Sequence, residues 1–251
     1  MNIFHSNPDL LNIDTLVTAV REMPGDRIAI TTAENIVRPA GGGQPRDTAD
    51  VLAGGLPFPV ENLFKADGQT WLLLDAPATG PIATGRPVTL NVDPLHRERL
   101  SRCHSLTHLA MAAVKEHLPG YQSRGADIAE DAVGIELRFS ASAPLTPDLI
   151  TAIDRRTRSL VGQAIPISIE RAKSMNDAEQ IYDKWRVDPD LNLSGKIRVI
   201  NIVGVDVNPC SGSHTRTTAD IGPYGITGHK LDRTGINRLF LERLECWMYW
   251  L

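Results

Sequence analysis

The chain has 251 residues, 42% of them hydrophobic and 22% charged, and a formal net charge of −4. That length holds one large domain or two modest ones with a real core. The composition excludes a low-complexity or repetitive chain, and no segment approaches the roughly 18 apolar residues that a membrane span needs. No membrane partner is expected, and no obligate protein partner is evident. Residues Met1 to Leu11 carry His5 and Asp9 and lack the basic-then-apolar pattern of a signal peptide, so the expected compartment is the cytoplasm. Cys103, Cys210 and Cys246 are too few and too scattered for a disulfide framework.

Residues 1–95 read as β-rich. Arg27 to Thr32, Thr70 to Leu74 and Pro87 to Val92 are short strand-like runs separated by Gly and Pro, a pattern that predicts a small barrel. The pattern changes at Asp93-Pro94, which places a domain boundary there: residues 1–95, then residues 96–251. A helix is predicted from about His96 to His117, because Leu100, Thr107, Met111 and Val114 recur at helical spacings and Pro119-Gly120 stops the run. Val133, Ile135, Leu137 and Phe139 alternate with polar residues, as in a half-buried strand. Thr146-Pro147 reads as a cap followed by a first-turn proline, opening a helix that buries Leu149, Ile153, Leu160 and Val161. Ile165, Ile167 and Ile169 predict a strand, and Ser174 to Lys184 a short helix. Ile197 to Val203 predicts an apolar strand and Tyr224 to Leu244 a hairpin. The fold class is α+β: a small N-terminal β-barrel-like domain, then an α+β domain with a mainly antiparallel sheet.

Charge divides unevenly. Residues 1–95 carry 6 Lys/Arg and 11 Asp/Glu, and residues 96–251 carry 20 and 19. This balance permits a local basic face rather than a general basic footprint. One candidate face is Arg97, Arg99, Arg102, Lys115 and Arg124; another is Arg155, Arg156, Arg158, Arg171 and Lys173. Both also read as ordinary solvated helix faces.

The strongest chemical signal is split along the chain. His104 and His108, four apart on the predicted helix, share one face. Cys210 and His214, also four apart, follow an apolar strand in a polar, turn-rich loop. Three imidazoles and a thiolate are a plausible tetrahedral set for one zinc ion. Each half alone also reads as a packed pair; the conjunction favours metal. A His-Glu-x-x-His protease is disfavoured, because Ser105 follows His104 and the glutamate base is missing. The run Gly41-Gly42-Gly43-Gln44-Pro45 lacks the ending of a phosphate loop. It reads as a tight turn, or as backbone brought close to a ligand.

Three segments, in order, resemble the AlaX family and the editing domain of alanyl-tRNA synthetase. They are Pro39-Ala40-Gly41-Gly42-Gly43-Gln44-Pro45-Arg46-Asp47, His104-Ser105-Leu106-Thr107-His108 and Asn208-Pro209-Cys210-Ser211-Gly212-Ser213-His214-Thr215. Thr218, Asp220, Ile221 and Gly222 extend the last. The resemblance implies that His104, His108, Cys210 and His214 bind zinc, and that the protein deacylates mischarged tRNA, Ser-tRNA(Ala) and Gly-tRNA(Ala). It also implies a free-standing editor. Gly41, Gly42, Gly43 and Gln44 are expected to support substrate or tRNA binding. Thr107 is the candidate partner of the serine hydroxyl; it equally reads as a helix residue bonding its own backbone. Ser211-Gly212-Ser213 stands where the family more often has Gly-Gly-Thr, and Asp220 where Glu is common, departures that bear on substrate preference. Two further readings are a zinc-stabilised RNA-binding module without catalysis and a zinc hydrolase of a small ester or amide.

Overall fold

The computed structural model describes residues 2–142, 144–172, 192–193 and 196–244. The chain divides into two compact units: Met1–Gly41 with Pro45–Arg97, and Gly42–Gln44 with Glu98–Leu251.

The first unit is a closed six-stranded antiparallel barrel. Its strands are β1 (Asn12–Met23), β2 (Arg27–Thr32), β3 (Ala49–Ala53), β4 (Leu56–Ala66), β5 (Gln69–Leu74) and β6 (Pro87–Val92), in the closed order β1-β2-β5-β4-β3-β6. Two long strands turn its corners. β1 pairs with β6 over Asn12–Leu16 and with β2 from Val17 onward, its register shifting between Val17 and Ala19. β4 pairs with β3 up to Pro59 and with β5 from Val60, shifting between Val60 and Asn62. Such irregularities bend a strand and let a small sheet close. Inward residues, among them Ile28, Ile30, Val51, Leu72, Leu74 and Leu90, are fully buried and form the core. Sequence reading found β2, β5 and β6 and passed over β1, whose polar residues dilute the apolar signal, the short β3, and β4, which carries Pro57 and Pro59.

The second unit is α+β, with every named strand pairing antiparallel. Its long helix α1 spans Pro94–His117, so the boundary between the units falls within its first turns. Leu100, Cys103, Leu106, Leu109, Ala110, Ala113 and Val114 are all fully buried, so α1 is covered over a wide arc. The strands β7 (Gln122–Ile128) and β8 (Gly134–Ser140) join the hairpin β13 (Tyr224–Leu231)–β14 (Asn237–Arg243) in the order β13-β14-β8-β7. Helix α2 (Pro147–Gly162) begins at Thr146, whose side chain accepts from the Leu149 N–H, as the Thr-Pro signature predicts. It buries Ile153 and Leu160, while Leu149 and Val161 are partly covered.

The other sheet centres on β11 (Lys196–Ile202), which pairs with β9 (Ile167–Ala172), β10 (Asn192–Leu193) and β12 (Asp206–Pro209). A short 3-10 helix follows at Thr218–Ile221. The helix expected at Ser174 to Lys184 lies outside the described residues, as does Cys246. No helix among the described residues is long and apolar enough to cross a membrane. One sequence expectation is corrected outright: Arg97 does not belong to a solvated basic face. It is 5% exposed and bonded to the fully buried Asp47.

Candidate metal centre

The second unit assembles its chemistry from two places. Helix α1 supplies His104 and His108, one turn apart on one side. The hairpin β11–β12 supplies the other pair, because Cys210 and His214 follow directly on the end of β12. One donor atom from each of the four lies within 4.8 Å of every other. Cys210 Sγ is 3.2 Å from His104 Nε2 and 3.3 Å from His214 Nε2. For zinc–ligand bonds of about 2.0–2.3 Å, the edge of a tetrahedron is about 3.3–3.6 Å. Both Cys210 distances are close to that edge, and the remaining pairs lie within 4.8 Å, so a modest contraction would suit a first-row ion bound by three nitrogens and a sulfur.

The other nitrogen of each imidazole has its own partner. His104 Nδ1 donates to Gln44 Oε1 at 2.8 Å, and His108 Nδ1 to Asp206 Oδ2 at 2.6 Å. Asn208 donates to the second oxygen of Asp206. The Ser105 hydroxyl lies 3.3 Å from His214 Nδ1 and accepts from the Thr215 N–H at 3.0 Å. Partners of this kind fix ring orientation and leave Nε2 for a metal. Asp206, Ser105 and Asn208 escaped the sequence reading. Asp206 stands four residues before Cys210, but which histidine it meets is a tertiary fact.

The electrostatics favour an ionised sulfur. Burial pushes the Cys210 thiol up, but the surrounding His104, His214 and His108 side chains hold it well below its ordinary value. The Gly212 N–H points at the sulfur from 3.4 Å, and the buried Arg198 donates to the Cys210 carbonyl. Burial drives His214 down to about 3, so it is neutral, as a metal ligand must be. Burial lowers His108 too, but Asp206 and Cys210 outweigh it and raise it to about 10. Gly212 is there for space: a Cβ would overlap the His104 ring. Ser211 and Ser213 thus flank the one position in this loop where the ring excludes a side chain.

Thr107 is 8% exposed and donates its hydroxyl to the Cys103 carbonyl at 2.9 Å. Cys103 lies apart from the cluster, its thiol donating to the Ala132 carbonyl at 3.1 Å and pushed up to about 12 by burial. Gln44 is 2% exposed and sits among the cluster's partners, whereas Gly41 and Gly43 are half-buried and Gly42 is exposed.

Comparison with known proteins bears on this centre. Residues 197–240, which include Cys210 and His214, match the family model described as the threonyl and alanyl tRNA synthetase second additional domain. An alanine–tRNA ligase of Methanoculleus marisnigri is 30% identical over 207 residues, covering 82% of this chain and 22% of that protein. The alanyl-tRNA editing protein AlaX-L of Pyrococcus horikoshii is 26% identical over 220 residues, covering 88% of this chain and 52% of its own. The chain is similar to an alanyl-tRNA editing protein and to alanine–tRNA ligases. A ligase of Pelotomaculum thermopropionicum, 27% identical over 210 residues, extends the same relationship. The chain spans about half of the AlaX-L protein and about a fifth of these two ligases. Within this relationship, the part matched by the family model carries the Cys-x₃-His half of the cluster, and α1 carries the other half.

Proposed function

We propose that the protein is a zinc-dependent hydrolase that deacylates mischarged tRNA, with Ser-tRNA(Ala) and Gly-tRNA(Ala) as substrates, acting in trans. The observation that carries this reading is the convergence of three Nε2 atoms and one thiolate, each imidazole being held from behind. The relationship to an alanyl-tRNA editing protein supports the substrate. In this reading residues 96–251 form the editing domain, and residues 1–95 assist tRNA binding. The exposed backbone of Gly42, flanked by Gly41 and Gly43, is where the glycine-rich loop would meet the tRNA.

His104, His108, Cys210 and His214 would hold one zinc ion. Bound there, zinc would supply a Lewis acid beside the aminoacyl ester. The chain's own groups perform the remaining tasks. Gln44, Asp206 and Ser105 hold the three rings. The Gly212 N–H and the imidazoles beside it hold the Cys210 thiol below its ordinary value, toward the form a metal takes. The reaction adds water across the ester, releasing the amino acid and leaving the tRNA with a free terminal hydroxyl. Four protein ligands resemble a structural site more than an open catalytic one, so a bound zinc would chiefly position the aminoacyl-ribose and would only partly polarise its carbonyl. An activated ester needs less assistance than an amide. Thr107 is the proposed contact of the serine hydroxyl, which requires its hydroxyl to turn from the Cys103 carbonyl.

The deciding experiment compares deacylation of Ser-tRNA(Ala), Gly-tRNA(Ala), Ala-tRNA(Ala) and a minimal aminoacyl ester by the zinc-loaded protein. Fast loss of Ser and Gly from tRNA with Ala spared is the expected result. Hydrolysis of the minimal ester at an equal rate would point to a small-ester hydrolase. Zinc-dependent folding with no deacylation of any charged tRNA would point to an RNA-binding module.

A further inference from the structure

The glycine-rich loop touches no reacting atom in the hydrolysis just described, yet its turn is tightly constrained beside the cluster. We propose that Gln44 is a positioning residue that fixes the tautomer and orientation of His104 and ties it to the Cys210–His214 segment. The glycines before it serve to deliver it there. The consequence for metal affinity rests on the zinc reading above; the geometry does not.

Gln44 engages two segments at once. Its Oε1 is 2.8 Å from His104 Nδ1 and accepts from the Ser213 N–H at 3.1 Å, and its Nε2 donates to Ser213 Oγ at 3.0 Å. A carboxamide oxygen only accepts. The His104 proton must therefore sit on Nδ1, which leaves the Nε2 lone pair facing Cys210 Sγ. Ser213 lies between Cys210 and His214, so one buried carboxamide orients a ligand on α1 and braces the loop that carries two more. Its polar atoms are committed to protein partners, and at 2% exposure it is poorly placed to touch a tRNA.

The loop is built to hold this position. The buried Arg38 guanidinium donates to the carbonyls of Gly41 at 2.7 Å, Pro39 at 3.1 Å and Pro45 at 3.4 Å, pinning the turn at both ends. Asp47 accepts from the Arg38 N–H at 2.6 Å. Between these ends, Gly42 and Gly43 take φ of 60° and 75°, the left-handed region that side chains disfavour. The Gly43 carbonyl accepts from the Ile128 N–H at 2.8 Å, and a Cβ on Gly43 would overlap the Ala126 carbonyl oxygen. Gly43 thus lies backbone against backbone on β7, one residue before Gln44. Gly41 has open space where a Cβ would stand.

The test uses the full chain. Zinc affinity is measured by competition with a chromophoric chelator, and the tautomer of His104 is read in the metal-free protein from long-range ¹H–¹⁵N correlations of its ring. Gln44→Ala should weaken zinc binding about 10–100-fold and release His104 from its fixed Nδ1–H form. Gly43→Ala, which alters no polar side chain, should do the same. Gly41→Ala should leave both readouts unchanged, and Gln44→Glu, which keeps an acceptor for His104 and Ser213, should restore the tautomer. An unchanged tautomer and zinc affinity in Gln44→Ala would overturn the proposal, and so would equal effects of Gly41→Ala and Gly43→Ala. If the wild-type chain binds no zinc, the metal reading falls, while the tautomer spectra still decide whether Gln44 holds His104.

Discussion

Among the described residues each unit buries a polar cluster, and the two are built on opposite plans. In the barrel unit, Arg97 donates to both oxygens of Asp47, at 2.8 and 2.5 Å, and to the carbonyls of Pro8 and Ile36. Charge meets charge, and the hydrogens find acceptors within the unit. In the second unit the outer nitrogens of three histidines are occupied, while their inner nitrogens and a thiolate converge. A cluster that closes on itself needs no outside species. A cluster whose lone pairs face one another is repulsive unless a cation or protons lie between them. Burial alone therefore does not mark a site; the direction of the lone pairs does.

Asp47→Ala tests the closed plan and carries the largest expected effect. It strands a buried guanidinium, and breaking such a pair costs about 3–5 kcal/mol, measurable as a fall in the urea midpoint. At saturating zinc the folded fraction should still hold the metal. A loss below about 1 kcal/mol, the scale of a surface pair, would show that Arg97 finds other partners.

Removing the metal tests the open plan. At free zinc near 1,000 times Kd, bound metal adds about 4 kcal/mol of stability. A chelator should therefore lower the Tm of the wild-type protein and of Asp47→Ala, and leave Cys210→Ala unmoved. A wild-type Tm indifferent to chelator, with no zinc found by elemental analysis, would remove the distinction between the clusters.

Thr107→Val is a finer probe of the boundary between scaffold and site. The hydroxyl bonds Cys103, so its loss should cost about 0.5–1.5 kcal/mol of stability, with zinc retained. If the same hydroxyl also serves the substrate, the Ser-to-Ala deacylation ratio should fall and Gly removal should change less, because glycine has no hydroxyl to lose. An unchanged ratio would make Thr107 scaffold alone.

The smallest effect belongs to an exposed pair near the end of α1. Arg156 donates to Glu116 at 2.7 and 2.9 Å and holds its carboxyl below the usual value. Arg156→Ala should cost about 0.5 kcal/mol or less. Because the folded value is depressed, this contribution is present above the unfolded Glu value and disappears as pH falls through the folded one. Urea melts of the variant and wild type at pH 7 and in acid should differ accordingly.

The sequence by itself determined the α+β class, the course of α1, the Thr146 cap, the alternating strand β8, the final hairpin and the identity of the four convergent residues. These are local matters: a 3.6-residue or two-residue period, a capping oxygen, an i, i+4 spacing, all written in neighbouring residues. Only tertiary structure decided that β1 and β4 bend to close a barrel, because register and corner formation depend on distant strands. Only it withdrew Arg97 from the surface, since Asp47 lies 50 positions away along the chain. It also chose the partner of each histidine, bringing Gln44 from 60 positions before His104 and Asp206 from 98 after His108. A hydrogen bond has a range of about 3 Å and carries no memory of sequence separation, so the groups that tune the cluster were invisible until the chain had folded.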